Sequence, residues 1–255
     1  MNDSGHDVRR VWVAGNERDE ATVTGDTRRD RAGRILDAAS TLTLRWGYQK
    51  TTIDDIARAA GVAKGTIYLH WKSRDALFLA LLRRERAQAA TEIRDRAAQD
   101  PAGHSLRGVL AHSYRVIARR PLLLAVLTRD RDVLGRLLTT GDPTASRPPL
   151  AVGFPRYLER LRAGGWVRTD QPLAAQLSLG TATMYGFLLT RPLLPEEFAV
   201  TDDTAADLVA DTVCRALDRG SPLADTEAEG VAAASAAYLA EAARFTTERY
   251  ENEVA

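Results

Sequence analysis

The chain has a single cysteine, Cys214, in 255 residues. A disulfide framework within the chain and a multi-cysteine zinc site are therefore excluded. Apolar runs are short. The longest, Ala76 to Leu82, falls far below the roughly 20 residues needed to cross a bilayer. No signal-peptide pattern is present, so a cytoplasmic protein without a membrane partner is expected. The marks of several enzyme classes are also missing. There is no glycine-rich phosphate loop and no zinc-protease helix. Gly103-His104-Ser105 begins like a nucleophile elbow, but Arg107 stands where that turn needs glycine. His6, His70, His104 and His112 show no metal-ligand spacing. The expectation is a protein that is not an enzyme and carries no cofactor or metal.

Lysine is the other scarcity. The chain has three, Lys50, Lys64 and Lys72, and all fall in one short segment. The net charge of +1 hides an asymmetry. Residues 28–86 hold 13 Lys and Arg against 6 Asp and Glu, whereas residues 1–27 are net −3 and residues 221–255 net −5. A basic segment inside a nearly neutral chain is the footprint expected of a nucleic-acid contact.

That segment carries a helix, a tight turn and a second short helix. Ile53, Ile56, Ala57 and Ala60 share one helical face. Thr52, with Asp55 three residues on, fits a capping box. Gly61 ends the helix, since glycine enters the left-handed region without a Cβ penalty. Val62 plugs the turn. A short helix from Ala63 to about Trp71 then points Ile67 inward and leaves Lys64, Thr66, Tyr68 and His70 outward. Ser73 reads as the N-cap of a longer helix carrying Leu77, Leu81 and Leu82. Outward Lys64 suits phosphate or a guanine edge, Gly65 allows close backbone approach, and Thr66 and Tyr68 carry hydroxyl donors. Trp71 reads as packing.

The stretch from Gly61 to Ser73, GVAKGTIYLHWKS, resembles the DNA-binding segment of the TetR family of bacterial transcriptional regulators. The preceding helix agrees, from Arg28 through Ala39 to Trp46-Gly47-Tyr48 and Thr51-Thr52, with apolar Ile35, Ala39, Leu42 and Trp46 at helical spacing. There are two departures. Ala63 stands where many relatives have serine, which removes one cap or phosphate contact, and Trp71 replaces the commoner phenylalanine. The resemblance implies that Thr51, Thr52, Lys72 and the start of the fourth helix hold phosphates. It implies that Ala63, Lys64, Gly65, Thr66, Tyr68 and His70 face the groove. For His70 a surface position between two helices stands beside the phosphate contact as an equal alternative.

The remainder reads as helical, with no useful strand alternation. The expected organisation is all-α: a tail without regular structure over 1–26, a three-helix DNA-binding domain over 27–73, a larger helical ligand-binding and dimerisation domain over 74–220, and an additional acidic, alanine-rich helix over 221–255. Helices are expected to about Gln99, over Ser105–Ala118, Leu122–Leu138, Phe154–Ala163, from Pro172 to Thr190, and Thr204–Arg219, with a loop from Gly141 to Pro149. Leu173, Leu177, Gly180, Met184 and Leu188 form one stripe. Leu208, Val209, Thr212, Val213 and Leu217 form another. The family resemblance makes these two helices the seam of a homodimer. The last helix carries Val231, Ala234, Tyr238, Leu239, Ala242 and Phe245 at helical spacing.

The implied function is a regulator bound as a homodimer to a palindromic double-stranded operator and released by a small-molecule effector. His112, Tyr114, Phe154, Tyr157, Met184 and Phe187 are the candidate lining of the effector site. A ligand-independent architectural DNA-binding protein, and an enzyme with a DNA-binding head, are the rival readings.

Overall fold

A computed structural model of the chain describes the backbone of residues 8–128, 153–190 and 193–254, and the side chains of residues 28–127, 153–190 and 193–253. Every regular element among them is helical: α1 (Val8–Lys50), α2 (Ile53–Ala60), α3 (Lys64–His70), α4 (Arg74–Gln99), α5 (Leu106–Ala118), α6 (Pro121–Thr128), α7 (Phe154–Ala163), α8 (Leu173–Thr190), a 3-10 turn at Glu196–Phe198, α9 (Asp202–Ala216) and α10 (Asp225–Val254). The expected continuation of α6 to Leu138 and the Gly141–Pro149 loop lie outside the described residues, as do residues 1–7.

Two expectations at the N-terminus are corrected. Helix α1 begins at Val8, so the backbone of residues 8–26 is helical where no regular structure was expected. Extending an anchored helix adds one hydrogen bond per residue fixed and needs no new nucleus. Trp46, expected on the core face with Ile35 and Ala39, is 41% exposed, while Tyr48 is fully buried. Gly47 is the cause. Its φ of 78° and ψ of 162° break the helix between them and swing Tyr48 inward.

The head, α1 to α3 with the start of α4, has its own core. Ile35, Leu36, Ala39, Tyr48, Ile56, Ile67, Trp71, Leu77 and Phe78 bury together, each large aliphatic contributing about 1.5–3 kcal/mol of transfer free energy. Tyr48 meets Phe78 edge-to-face at 4.8 Å. Arg74 ties α4 to this core. Its Nε donates to the Thr51 carbonyl at 3.1 Å, Nη2 donates to the Tyr48 carbonyl, and the guanidinium lies over the Tyr48 ring. Buried Arg84, one face further along α4, donates to the Gly33 carbonyl at 3.1 Å and pairs with Asp37 at 2.8 Å.

The second core lies among α4, α5, α7, α8, α9 and α10. On α10, Val231, Ala234, Ser235, Tyr238, Leu239, Ala242, Ala243 and Thr246 are all buried. This 3.6-residue stripe packs against α4 and, through Ser235 and Tyr238, against α7. Small residues on both sides, Ala242 and Ala243 against the buried alanines Ala87, Ala89 and Ala90, suit a close helix approach. No helix among the described residues is long and apolar enough to cross a membrane.

Candidate nucleic-acid interface and effector cavity

The turn between α2 and α3 is built by its caps. The Asp55 N–H donates to Thr52 Oγ1 at 3.2 Å, and the Thr52 N–H donates to Asp55 Oδ2 at 3.3 Å. The Thr52 hydroxyl adds a bond to the same carboxylate, and that bond holds Asp55 below the usual carboxylate range. Gly61, at φ 66°, gives its N–H to the Ala57 and Arg58 carbonyls, which closes α2 in a left-handed cap. Helix α3 then buries one residue, Ile67. Ala63, Lys64, Gly65, Tyr68 and Leu69 are exposed, and Thr66 is half-buried. A Cβ on Gly65 would meet nothing within 4 Å, so its backbone is open to approach.

Leu69 was not singled out from sequence, yet it is 78% exposed. With Ile67 as the inward anchor, the second residue after it points away from the core. Lys64 Nζ sits 2.9 Å from Asp54 Oδ2, and this hydrogen bond raises the lysine above its usual range. Both groups are exposed, so the pair is easily exchanged for phosphate.

Thr51 is corrected. Its side chain is fully buried, and its hydroxyl donates to the Gly47 carbonyl at 2.9 Å. It braces the turn and does not present a hydroxyl to phosphate. Thr52 and Lys72 are exposed. His70 is half-buried, with its ring 5.2 Å from Trp71. Burial, then Arg28 and Arg31 of α1, keep its pKa below the usual histidine value. Its buried Nδ1 has no hydrogen-bond partner. The ring sits at the end of α3 and faces Arg28 and Arg31 of α1.

A cavity of about 120 Å³ opens in the second core, lined by Val109, Leu110, Ser113, Ile117, Leu127, Phe154, Gly180, Thr181, Met184, Tyr185 and Tyr238. All of these are uncharged. Burial pushes the Tyr185 and Tyr238 hydroxyls up, so both stay neutral donors. Of the expected lining residues, Phe154 and Met184 are brought together here. Tyr157 is not in the wall. It is buried behind it, bonded to Ser235 Oγ at 2.7 Å. Tyr114 and Phe187 line a different feature, the groove described next. His112 faces Asp100 instead, Nε2 to Oδ2 at 2.8 Å, and belongs to neither. Tyr238 was missed because it lies on the last helix, far along the chain from the other lining residues.

The groove, about 520 Å³, runs along the outside of α8 and α9 and includes Gly186, Phe187, Leu194, Phe198, Val200, Leu208 and Thr212. The two stripes expected to form a dimer seam are split by this arrangement. Val209, Val213, Leu217 and Leu188 are buried in the chain's own core, with Leu173, Leu177 and Met184 packed against it. Leu208 remains 42% exposed. A 3.6-residue period groups neighbours by angle and does not say which side the subunit itself uses. Cys214 is half-buried, and burial pushes its thiol up to about 11, leaving almost no thiolate at neutral pH.

Fold and site together define a helix-turn-helix head on a helical body, and the comparisons agree on the class. The pattern described as "Bacterial regulatory proteins, tetR family" matches residues 35–81. An uncharacterized HTH-type transcriptional regulator of Mycobacterium tuberculosis is 33% identical over 182 residues, covering 67% of this chain and 91% of that protein. The HTH-type transcriptional repressor KstR of Rhodococcus jostii is 30% identical over 125 residues, 48% of this chain and 57% of the repressor. The chain spans about half the length of the KstR relatives it matches. A solved structure from Rhodococcus sp., described as a TetR-family transcriptional regulator, superposes with a TM-score of 0.57 at 20% identity, covering 74% of this chain and 100% of that one. This chain belongs to the TetR family of bacterial regulatory proteins.

Proposed function

We propose that this protein is a homodimeric, sequence-specific DNA-binding repressor that a small molecule releases from a palindromic operator in the bacterial cytoplasm. The observation that carries the reading is α3. One buried residue, Ile67, anchors it, while Lys64, Gly65, Tyr68 and Leu69 stand outward on the most basic segment of the chain. Residues 27–73 form the DNA-binding unit. In it Ala63, Lys64, Gly65, Thr66, Tyr68 and Leu69 meet the groove, and Thr52 and Lys72 meet phosphates. Two such helices on a dimer would enter successive major grooves about 34–36 Å apart.

The apolar groove along α8 and α9 supports the dimer, since contiguous exposed apolar surface marks interaction sites. The cavity supports an uncharged, mostly apolar effector, oriented by the Ser113, Thr181 and tyrosine hydroxyls. Effector and operator must then weaken each other's binding by the same factor.

Selection of binding sites from random duplex DNA tests the reading, with the Lys64→Ala/Tyr68→Ala double variant as control. A palindrome enriched by the wild type and lost in the variant is expected. Failure to enrich any sequence would remove the recognition-helix assignment.

A further inference from the structure

Helix α10 is long and acidic, and its buried stripe completes the second core. It meets two places that the proposed function needs to connect. Near its middle, Tyr238 forms part of the cavity wall. The ring stacks on Tyr157 with centroids 4.7 Å apart and planes within 8°, and Phe154 closes on it edge-to-face at 6.0 Å. Toward its end, Tyr250 packs against the core of the head, beside Arg84 and Asp37. Glu253 pairs with Arg83 of α4.

Between these points α10 is one uninterrupted helix. At 1.5 Å per residue, Tyr238 and Tyr250 are about 18 Å apart along it. It lies antiparallel to α4, since Glu253 meets Arg83 while Phe245 and Thr246 lie by Arg86. Thr246, Ala243, Ala242 and Leu239 fill the stripe between the two ends with buried contacts. A packed helix moves as a body, so a displacement at Tyr238 reaches Tyr250 without being absorbed on the way.

We infer that α10 is a strut that couples the effector cavity to the DNA-binding head, with Tyr238 as its sensing end and Tyr250 and Glu253 as its anchor. This rests on the proposed function for its biological purpose, but the mechanical link is a property of the free chain. Among the described residues, α4 and α6 each contribute side chains to both cores. The strut adds a further connection alongside α4, so the orientation of the head on α4 depends on where α10 sits. An occupant of the cavity that shifts the Tyr238 ring moves the anchor against Arg83 and Arg84, and with it the spacing of the two recognition helices.

A double-mutant cycle on the full-length chain tests this. The cavity end is changed by Tyr238→Ala and the anchor is cut by Tyr250→Ala/Glu253→Gln. Amide hydrogen exchange of α2 and α3 is followed in the free protein, and affinity for the selected palindrome is followed in parallel. Tyr238→Ala should speed exchange in α2 and α3 about threefold or more, and should add nothing once the anchor is cut, because coupled sites are non-additive. Leu161→Ala, a core truncation on α7, should act equally with and without the anchor. Circular dichroism checks each fold, and Tyr238→Leu replaces the alanine variant if that one unfolds. Unchanged exchange in the head, or an effect of Tyr238→Ala that survives cutting the anchor, would overturn the strut. If no palindrome is enriched, the regulator reading fails, while the exchange cycle still decides the strut.

Discussion

The guanidinium carbon of Arg74 lies 3.8 Å from the centre of the Tyr48 ring. The same side chain caps the Tyr48 and Thr51 carbonyls. One residue at the start of α4 thus holds the turn that precedes α2, and α3 inherits its placement from that clamp. Arg74→Ala should lower the stability of the head by about 2 kcal/mol, the scale of a lost charged hydrogen bond with its acceptors left open. Arg74→Lys should recover less than half, because an ammonium cannot reproduce the planar fork. Thermal unfolding followed at Trp46 and Trp71 checks both.

The Lys64–Asp54 pair predicts an unusual gain. Asp54→Asn removes a negative charge from the face proposed to meet DNA and frees Lys64 for phosphate. Affinity for the selected palindrome should rise, with the slope of log K against log salt steeper by up to about 1. Lys64→Ala should weaken binding and flatten that slope by about 1. Titrations at several salt concentrations distinguish the two. A weaker Asp54→Asn complex would mean that Asp54 positions Lys64 rather than competing for it.

The groove along α8 and α9 predicts an assembly. Leu208 is exposed at its edge, while its neighbour Val209 is wholly buried in the chain's own core. Leu208→Glu should therefore leave the fold intact and shift the protein toward monomer in sedimentation. Val209→Glu should unfold it, because a charge would be buried without a partner.

An acid-sensitive contact fixes the start of α10. Glu227 takes bonds from Arg219 at 2.8 and 2.6 Å and from the Ala224 N–H at 2.9 Å. Chiefly through the arginine, these bring its pKa to about 2 from an ordinary 4.5. The folded value is depressed, so the contribution is complete above about pH 4.5 and drains away as pH falls toward 2. Glu227→Gln should lower the melting temperature at pH 7, and the difference from wild type should shrink by pH 3. An equal difference at both pH values would sink the assignment.

Much of the head was legible in the chain itself. Thr52, Asp55 and Gly61 are local signals, each acting within four residues, so α2 and its ends follow from sequence. The outward set on α3 follows from one anchor, Ile67, and the helical period. Leu69 went unremarked because an apolar residue is read as inward by default. Thr51 was misplaced because a hydroxyl is read as outward by default. Here it turns back to the Gly47 carbonyl four residues earlier and is buried.

The helical body shows where periodicity stops. The apolar stripes of α8 and α9 were visible, but the side each helix turns toward its own core depends on partners far away in sequence. Leu208 and Val209 are adjacent and differ only in what stands opposite them. The cavity joins Val109, Met184 and Tyr238, which no local pattern relates. The family, the helical class and the outward set on α3 are written in the chain, because caps, turns and amphipathic periods are short-range. The cavity, the free apolar face and the reach of α10 to the head are not. Those arise from packing between segments up to 170 residues apart, and packing is a property of the assembled helices rather than of any one of them.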